Sequence, residues 1–183
     1  MATGRAPAAA VNVHDGSPAA VKLLYGRDTQ DAEARRRLER EGATVASLSH
    51  PNIVRLLERG EHEGRLYIAM ELVDGEHLAS YLGRHQMTLK DALAAATGLA
   101  AALAVLHGRG VTHRDFKTMN IMRTDSGRLV LLDFGLARGA GTTTITAKGN
   151  VLGTVAYMSP EQLRGKEVDA RADVWAFGVV LFE

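Results

Sequence analysis

The chain has 183 residues, 46% of them apolar and 23% charged, and its 22 Lys and Arg against 21 Asp and Glu leave a formal net charge of +1. This balance argues against a nucleic-acid-binding protein, because such binding depends on a basic surface. The chain contains no cysteine, which excludes disulfides, thiolate metal sites and a cysteine nucleophile. The composition is that of an ordinary folded protein, and the sequence predicts neither a membrane-spanning run nor a signal peptide.

The first part of the chain alternates strand-like and helix-like patterns. Residues 1–10 are rich in alanine without a clear period, so no element is predicted there. A charged segment at 31–46 keeps its apolar residues on one stripe and predicts a helix, which Pro51 brings to an end. Strands are predicted at residues 18–24, after an Asp-Gly turn, and at 53–57 and 66–72, the last two joined by a polar turn at 61–64.

The second part is mainly helical. Thr88 with Asp91 predicts a capping box for a helix through His107. Residues 129–132 predict a short strand, residues 135–153 a Gly- and Thr-rich surface loop, and Asp173 the start of a last helix. The helix that follows Thr88 is expected to bury one apolar stripe, made of Leu89, Leu93, Ala96, Ala100, Leu103 and Leu106. Strands followed by helices favour an α+β body with two lobes.

Two short segments in the middle of the chain carry most of the polar chemistry. Residues 113–120 read His-Arg-Asp-Phe-Lys-Thr-Met-Asn, and residues 133–135 read Asp-Phe-Gly. A single Asp is most often a turn or cap residue, but several motifs in a fixed order are far more specific. From about Ala20 to its last residue, the sequence resembles the protein kinase family, specifically the bacterial Ser/Thr branch.

The resemblance implies a two-lobed protein kinase-like α+β fold that is incomplete at its C-terminus. Residues 1–72 would form a small β-rich N-lobe that contains a degenerate phosphate loop, a lysine strand, a charged helix and the hinge strand. Residues 73–183 would form part of a helical C-lobe with the catalytic loop, the activation segment and the start of a central helix.

The resemblance also implies a set of catalytic residues for phosphoryl transfer, which requires neutralised phosphate charge and a positioned hydroxyl. Asp115 would be the base that orients and deprotonates the substrate hydroxyl. Lys117 would lie beside the transferred phosphate and offset its charge. Asn120 and Asp133 supply hard oxygen ligands, which suit Mg²⁺.

ATP would be held by residues on both sides of this set. The segment Ala20-Val21-Lys22 is similar to the strand motif whose lysine grips the α- and β-phosphates, and Glu41 matches the helix glutamate that pairs with it. Residues 70–75 are similar to the hinge between the lobes, where backbone groups of Glu71 and Val73 would read the adenine.

Regulatory residues are implied after the catalytic loop. Residues 153–161 resemble the end of an activation segment, in which the Thr154 hydroxyl would contact Asp115 and Lys117 and favour Ser/Thr acceptors. Arg114 would pair with a phosphate on the preceding loop. The acceptor candidates on that loop are Thr142, Thr143, Thr144 and Thr146.

The resemblance also implies residues that assemble the site. Asp173 matches an Asp that anchors the backbone near His113. The apolar stack that links the lobes would consist of Val45, Leu56, His113 and Phe134.

The sequence departs from the family pattern in three places. The phosphate loop keeps one of three expected glycines, since Gly4, Ala6 and Ala9 align with them, and a Cβ hinders close backbone approach to phosphate. Thr118 stands where the catalytic loop usually has proline. The chain stops inside an apolar helix, so it is expected to be a fragment of a longer kinase; a stop codon after Glu183 with a soluble monomeric product would contradict that.

Three functions are compatible with these residues. The resemblance favours an ATP- and Mg²⁺-dependent kinase that phosphorylates Ser or Thr of a protein substrate in the cytoplasm, with any membrane tether outside the chain. A nucleotide-binding pseudokinase is the first alternative, supported by the missing glycines and opposed by Lys22, Asp115, Asn120 and Asp133. A small-molecule phosphotransferase is the second; Lys117 and the segment ending at Glu161 oppose it.

Overall fold

The structure of the chain is a computed structural model that describes residues 8–13, 15–23, 42, 44–63, 65–133 and 155–183. Its first sheet has four antiparallel strands in the order β1-β2-β4-β3. Its second sheet has three short strands in the order β5-β6-β7. The strands of the first sheet are β1 (Ala8–Val11), β2 (Pro18–Leu23), β3 (Leu56–His62) and β4 (Arg65–Glu71).

The hairpin of β1 and β2 turns at the predicted Asp-Gly pair. Gly16 has a φ of 71°, a left-handed conformation that glycine adopts without a steric penalty. The Asp15 carboxylate accepts hydrogen bonds from the backbone N–H and the hydroxyl of Ser17, which close the turn. The strand β1 was not predicted, because alanine has little strand propensity, and it forms because β2 supplies its backbone partners.

The predicted strand at 53–57 is wrong in its position. Ile53 makes only an isolated parallel bridge to Leu131, and β3 starts at Leu56 and continues through the polar residues to His62. An irregular register between Leu56 and Glu58 marks a bulge. The apolar run at 53–57 predicted the strand too early in the chain. Most of β3 faces solvent, so its side chains do not have to be apolar.

The second sheet follows a tight passage of the backbone at Gly75. The strands are β5 (Glu76–His77), β6 (Ile121–Arg123) and β7 (Leu129–Leu131), and the helix α1 (Leu78–Leu82) begins directly after β5. Gly75 has a φ of 148°, and an added Cβ would lie 2.9 Å from the carbonyl carbon of Arg123 and closer still to its oxygen. Only glycine therefore allows β5 to approach β6.

Replacing Gly75 with alanine is expected to lower the free energy of unfolding by at least about 1–3 kcal/mol, the usual cost of a strained backbone. Gly178→Ala is the matched control, since nothing lies within 4 Å of its Cβ position in a helix. The control should be neutral or stabilising by up to about 1 kcal/mol. Thermal unfolding of both variants checks this, and equal melting temperatures would contradict the collision at Gly75.

The helix α2 (Leu89–Gly108) begins where it was predicted. Thr88 caps it by accepting a hydrogen bond from the Asp91 backbone N–H at 3.2 Å, and its hydroxyl donates to the Asp91 carboxylate. The predicted apolar stripe is wrong in its first half, because Leu89 and Leu93 are exposed. The buried residues lie toward the C-terminal end of α2, and they are Leu99, Ala102, Leu103 and Leu106.

Among the described residues, α2 is long and apolar enough to cross a membrane, judged by its length and composition alone. Length and composition do not by themselves contradict the prediction that the chain has no membrane-spanning run. Core helices of folded proteins pass the same test, and α2 contacts both β7 and a later helix. Most of α2 is not buried, so this packing accounts for only part of its apolar composition.

Two helices complete the described chain, α3 (Pro160–Leu163) and α4 (Ala170–Phe182). The last helix begins earlier than predicted, because the Asp169 side chain caps it by accepting from the Arg171 N–H, and Asp173 lies within its first turn. Asp173, Ala176 and Val180 face inward and are buried. The outward face of α4 is apolar and exposed at Val174, Trp175, Leu181 and Phe182.

Candidate active site

The site is centred on the carboxylate of Asp115, which lies in the loop between the helix α2 and the strand β6. The ammonium group of Lys117 lies 3.1 Å from both carboxylate oxygens. The Asn120 amide donates to the carboxylate at 3.0 Å and to the Asp115 backbone carbonyl at 2.8 Å. A short 3₁₀ turn (Thr118–Asn120) brings Asn120 back toward Asp115. The three residues predicted to be catalytic thus form one contact cluster.

Asp173, on the helix α4, anchors the backbone of the loop that carries Asp115. The Asp173 side chain is 1% exposed. Its two oxygens accept hydrogen bonds from the backbone N–H of His113 at 2.7 Å and of Arg114 at 2.8 Å. Arg114 has a φ of 63°, an unfavourable conformation that the anchored loop imposes. The predicted anchoring by Asp173 is therefore present in the structure.

The imidazole of His113 joins the Asp115 loop to the strand β7. Its Nε2 lies 2.8 Å from the Leu132 carbonyl, and its Nδ1 accepts from the Asp115 N–H at 3.3 Å. A carbonyl can only accept, so Nε2 carries the proton. The Leu132 N–H in turn donates to the Asn120 carbonyl at 2.8 Å. Leu132 therefore holds the next residue, Asp133, beside the catalytic loop.

The carboxylate of Asp133 forms an ion pair with a lysine of the first sheet. Lys22 on β2 places its ammonium 2.9 Å from Asp133 Oδ1, and both side chains are only about one-fifth exposed, at 20% and 23%. Asp133 has a φ of 50°, so the chain turns sharply as it leaves β7. Glu41, the partner expected for Lys22, lies outside the described residues, and that pair stays a prediction.

Asn120 and Asp133 carry oxygen atoms of the kind that binds a divalent cation. Asp133 Oδ1 is buried and, within the described part of the chain, receives no hydrogen bond besides its ion pair with Lys22. The Asn120 amide nitrogen is used on Asp115, which assigns the other end of the amide as an oxygen donor. Hard oxygen donors in small number suit Mg²⁺, which keeps water and substrate phosphates as its other ligands.

The predicted hinge residues lie at the end of β4. Glu71 is the last residue of β4, and its N–H donates to the Arg55 carbonyl at 3.0 Å. Val73 follows as a half-buried residue packed against the core. The Glu71 N–H therefore already has a backbone partner.

The remaining predicted residues divide into two groups. Arg114 directly precedes Asp115, and its backbone carbonyl accepts from the Gln162 side chain at 3.1 Å. Val45, Leu56 and His113 of the predicted apolar stack are buried. Outside the described residues lie Phe134, Thr142, Thr143, Thr144, Thr146 and Thr154.

Sequence reasoning missed several residues that hold the site. Phe116 is 1% exposed and packs edge-on between His113, at a ring distance of 5.9 Å, and Phe177, at 6.0 Å. His107 at the end of α2 donates to Asp173 at 2.8 Å. No local pattern distinguishes these residues, although the apolar residue directly after Asp115 was a signal that the loop is buried.

Comparison with known families identifies the class of protein. Residues 4–183 match the family described as the protein kinase domain, and the chain belongs to that family. Its fold is the two-lobed α+β kinase fold. The kinase domain of Mycobacterium tuberculosis PknI superposes with a TM-score of 0.76 and 31% identity, covering 100% of this chain and 67% of that one.

Curated relatives narrow the class to bacterial serine/threonine-protein kinases by name. PknJ of Mycobacterium tuberculosis is 42% identical over 167 residues, which are 89% of this chain and 28% of that protein. PrkC of Bacillus subtilis is 39% identical over 165 residues, 90% of this chain and 26% of that protein. The chain thus spans about a quarter of the length of these relatives.

Proposed function

We propose that the protein is an ATP- and Mg²⁺-dependent serine/threonine protein kinase. The observation that carries the proposal is the contact cluster of Asp115, Lys117 and Asn120. The Leu132 N–H, which donates to the Asn120 carbonyl, connects this cluster to the neighbouring Asp133 and its ion pair with Lys22. The relatives named above carry the same activity in their names.

In the proposed reaction, Asp115 accepts the proton of a Ser or Thr hydroxyl as its oxygen bonds to the γ-phosphorus of ATP. The bond from that phosphorus to the bridging oxygen of ADP breaks. Lys117, which already contacts Asp115, offsets the charge of the phosphoryl group. Such a placement supports positioning and charge stabilisation, the two main contributions to this chemistry.

Asn120 and Asp133 would hold Mg²⁺, which would neutralise the charge of the phosphates when it is bound. Lys22 would bind the α- and β-phosphates and exchange part of its contact with Asp133 for them. Glu41 would orient Lys22. The Glu71 carbonyl and the Val73 N–H would read the adenine.

The proposed acceptors are the hydroxyl groups of Ser and Thr in protein substrates. This agrees with the predicted contact of the Thr154 hydroxyl with Asp115 and Lys117, which favours such acceptors. Loop phosphorylation on one of the threonines named above, paired with Arg114, would regulate the site. The chain's location is proposed to be the cytoplasm, where ATP is available.

A nucleotide-binding scaffold remains the second candidate, because Ala6 and Ala9 stand where the phosphate loop is expected to have glycine, and Ala9 lies in β1. Both side chains carry a Cβ that would keep the backbone away from a phosphate. The two candidates differ in whether phosphate leaves ATP.

Phosphate transfer from labelled Mg²⁺-ATP to Ser/Thr-containing acceptor proteins tests the proposal, with the complete gene product as enzyme. Phosphoserine or phosphothreonine in the acceptor protein is the expected product. Tight ATP binding without transfer would support the scaffold. Transfer to a sugar or an aminoglycoside but to no protein would identify a small-molecule phosphotransferase instead.

Replacing Lys22 with methionine, which keeps most of the side-chain length, is expected to lower kcat roughly 10²–10³-fold, the effect of removing one charge-stabilising donor. The KM for ATP should rise as well. Lys90→Met on the exposed start of α2 is the matched control and should keep wild-type kinetics. Equal rates for Lys22→Met and the wild type would exclude Lys22 from phosphate binding.

A further inference from the structure

The catalytic loop carries a buried hydroxyl whose use the proposed reaction does not explain. Thr118 is 2% exposed and is the first residue of the 3₁₀ turn between Lys117 and Asn120. Its Oγ1 lies 2.9 Å from the phenolic oxygen of Tyr157. The two residues are 39 positions apart in sequence, so this bond joins two separate segments of the site.

The direction of this bond follows from the partner on the other side of Tyr157. The Tyr157 hydroxyl donates to Glu183 Oε1 at 2.6 Å. A phenol has one proton and a carboxylate can only accept, so the proton of Tyr157 is used on Glu183. Thr118 must therefore donate to Tyr157. The order of donation is Thr118 to Tyr157 to Glu183.

The Tyr157 hydroxyl keeps its proton, and so its role as donor to Glu183, at neutral pH. Burial and the hydrogen bond to Glu183 raise the pKa of its hydroxyl above the usual value, and the bond from Thr118 lowers it by less. The phenol therefore stays protonated and continues to donate. Proline at position 118, the residue expected from the family pattern, has no donor for Tyr157.

Both joined segments lie beside Asp115. Lys117, which precedes the turn, and Asn120, which ends it, contact Asp115, and the Asn120 N–H donates to the Lys117 carbonyl at 2.9 Å. In the other segment, Tyr157 and Met158 line a narrow cleft together with Asp115. A movement of Tyr157 relative to Thr118 would therefore change the distance from this wall to Asp115.

We propose that Thr118 is a positioning residue for the protein substrate: its hydrogen bond to Tyr157 holds residues 155–158 at a fixed distance from Asp115. The proposal rests on the proposed kinase function. It concerns the acceptor side of the cleft, because the part of the chain that the structure describes contains no hydrogen bond or ion pair from Lys22 or Asp133, on the nucleotide side, to Thr118 or Tyr157.

The test compares Thr118→Val with Thr118→Ser in the complete gene product, using a peptide acceptor that the wild type phosphorylates. Valine keeps the shape and removes the donor, so the KM for the peptide should rise roughly three- to tenfold, the equivalent of one net hydrogen bond. The KM for ATP should stay within about twofold. Serine keeps the donor and should restore the peptide KM.

Two further variants separate positioning from general destabilisation. Thr97→Val makes the same change at an exposed hydroxyl, which bonds the Leu93 carbonyl in α2 away from the cleft, and should change neither KM. Adding Tyr157→Phe to Thr118→Val should raise the peptide KM no further than Tyr157→Phe alone. A peptide KM unchanged in Thr118→Val, or a serine variant as impaired as the valine variant, would overturn the proposal.

Hydrogen exchange gives a readout that does not depend on phosphate transfer. The backbone amides of residues 155–159 should exchange faster in Thr118→Val than in Thr118→Ser and in the wild type. If the wild type transfers no phosphate, the proposed function fails, and the exchange rates still decide the positioning role. Equal exchange in all three proteins would overturn that role even in an active enzyme.

Discussion

Replacing Asp115 with asparagine is expected to lower phosphate transfer by roughly 10²–10⁴-fold, the usual contribution of a general base. The amide cannot take the proton of the substrate hydroxyl, while its oxygen can still accept from Lys117 or Asn120. The loop should therefore keep its shape, and ATP should bind with wild-type affinity. Incorporation of labelled phosphate and calorimetric titration with Mg²⁺-ATP measure the two properties separately.

Asp125→Asn is the control for this prediction. Asp125 lies exposed in the turn between β6 and β7, and the same chemical change there should leave transfer unaffected. Equal incorporation by Asp115→Asn and the wild type would rule out Asp115 as the base. Loss of ATP binding together with transfer would instead indicate that the substitution disturbs the nucleotide side of the cleft.

The second large effect is expected at Asp173, which contacts no substrate in the proposed reaction. Alanine at this position would leave the buried N–H groups of His113 and Arg114 without their acceptor. Each unsatisfied donor costs roughly 1–3 kcal/mol, so the free energy of unfolding should fall by about 2–6 kcal/mol. That is a large share of the roughly 5–15 kcal/mol that stabilises a typical domain.

Asp169→Ala on the same helix provides the comparison. Asp169 caps α4 from an exposed position, with its side chain 58% exposed, and losing such a cap costs roughly 0.5–2 kcal/mol. Denaturant unfolding of both variants should rank Asp173→Ala as the more destabilised. Equal losses would contradict the anchoring of the catalytic loop by Asp173. A folded Asp173→Ala protein with full kcat would contradict its effect on Asp115.

Local signals predicted the elements whose ends are determined by neighbouring residues. Thr88 caps α2 as expected, and the Asp15-Gly16 turn closes the first hairpin. The prediction failed where distant partners decide. The strand β1 forms only because β2 pairs with it, and β3 is polar because little of it is buried. The exposed Leu89 and Leu93 show the same limit on α2.

The sequence alone determined the kinase family, because ordered motifs such as residues 113–120 and 133–135 identify it, and comparison over residues 4–183 confirmed this. It also determined which polar residues are available for the site. The tertiary structure decided which of them touch: Lys22 contacts Asp133, Asp173 holds two backbone N–H groups, and Thr118 donates to Tyr157. These contacts join residues that are far apart in the chain, and hydrogen bonds of about 3 Å depend on packing that no local pattern encodes.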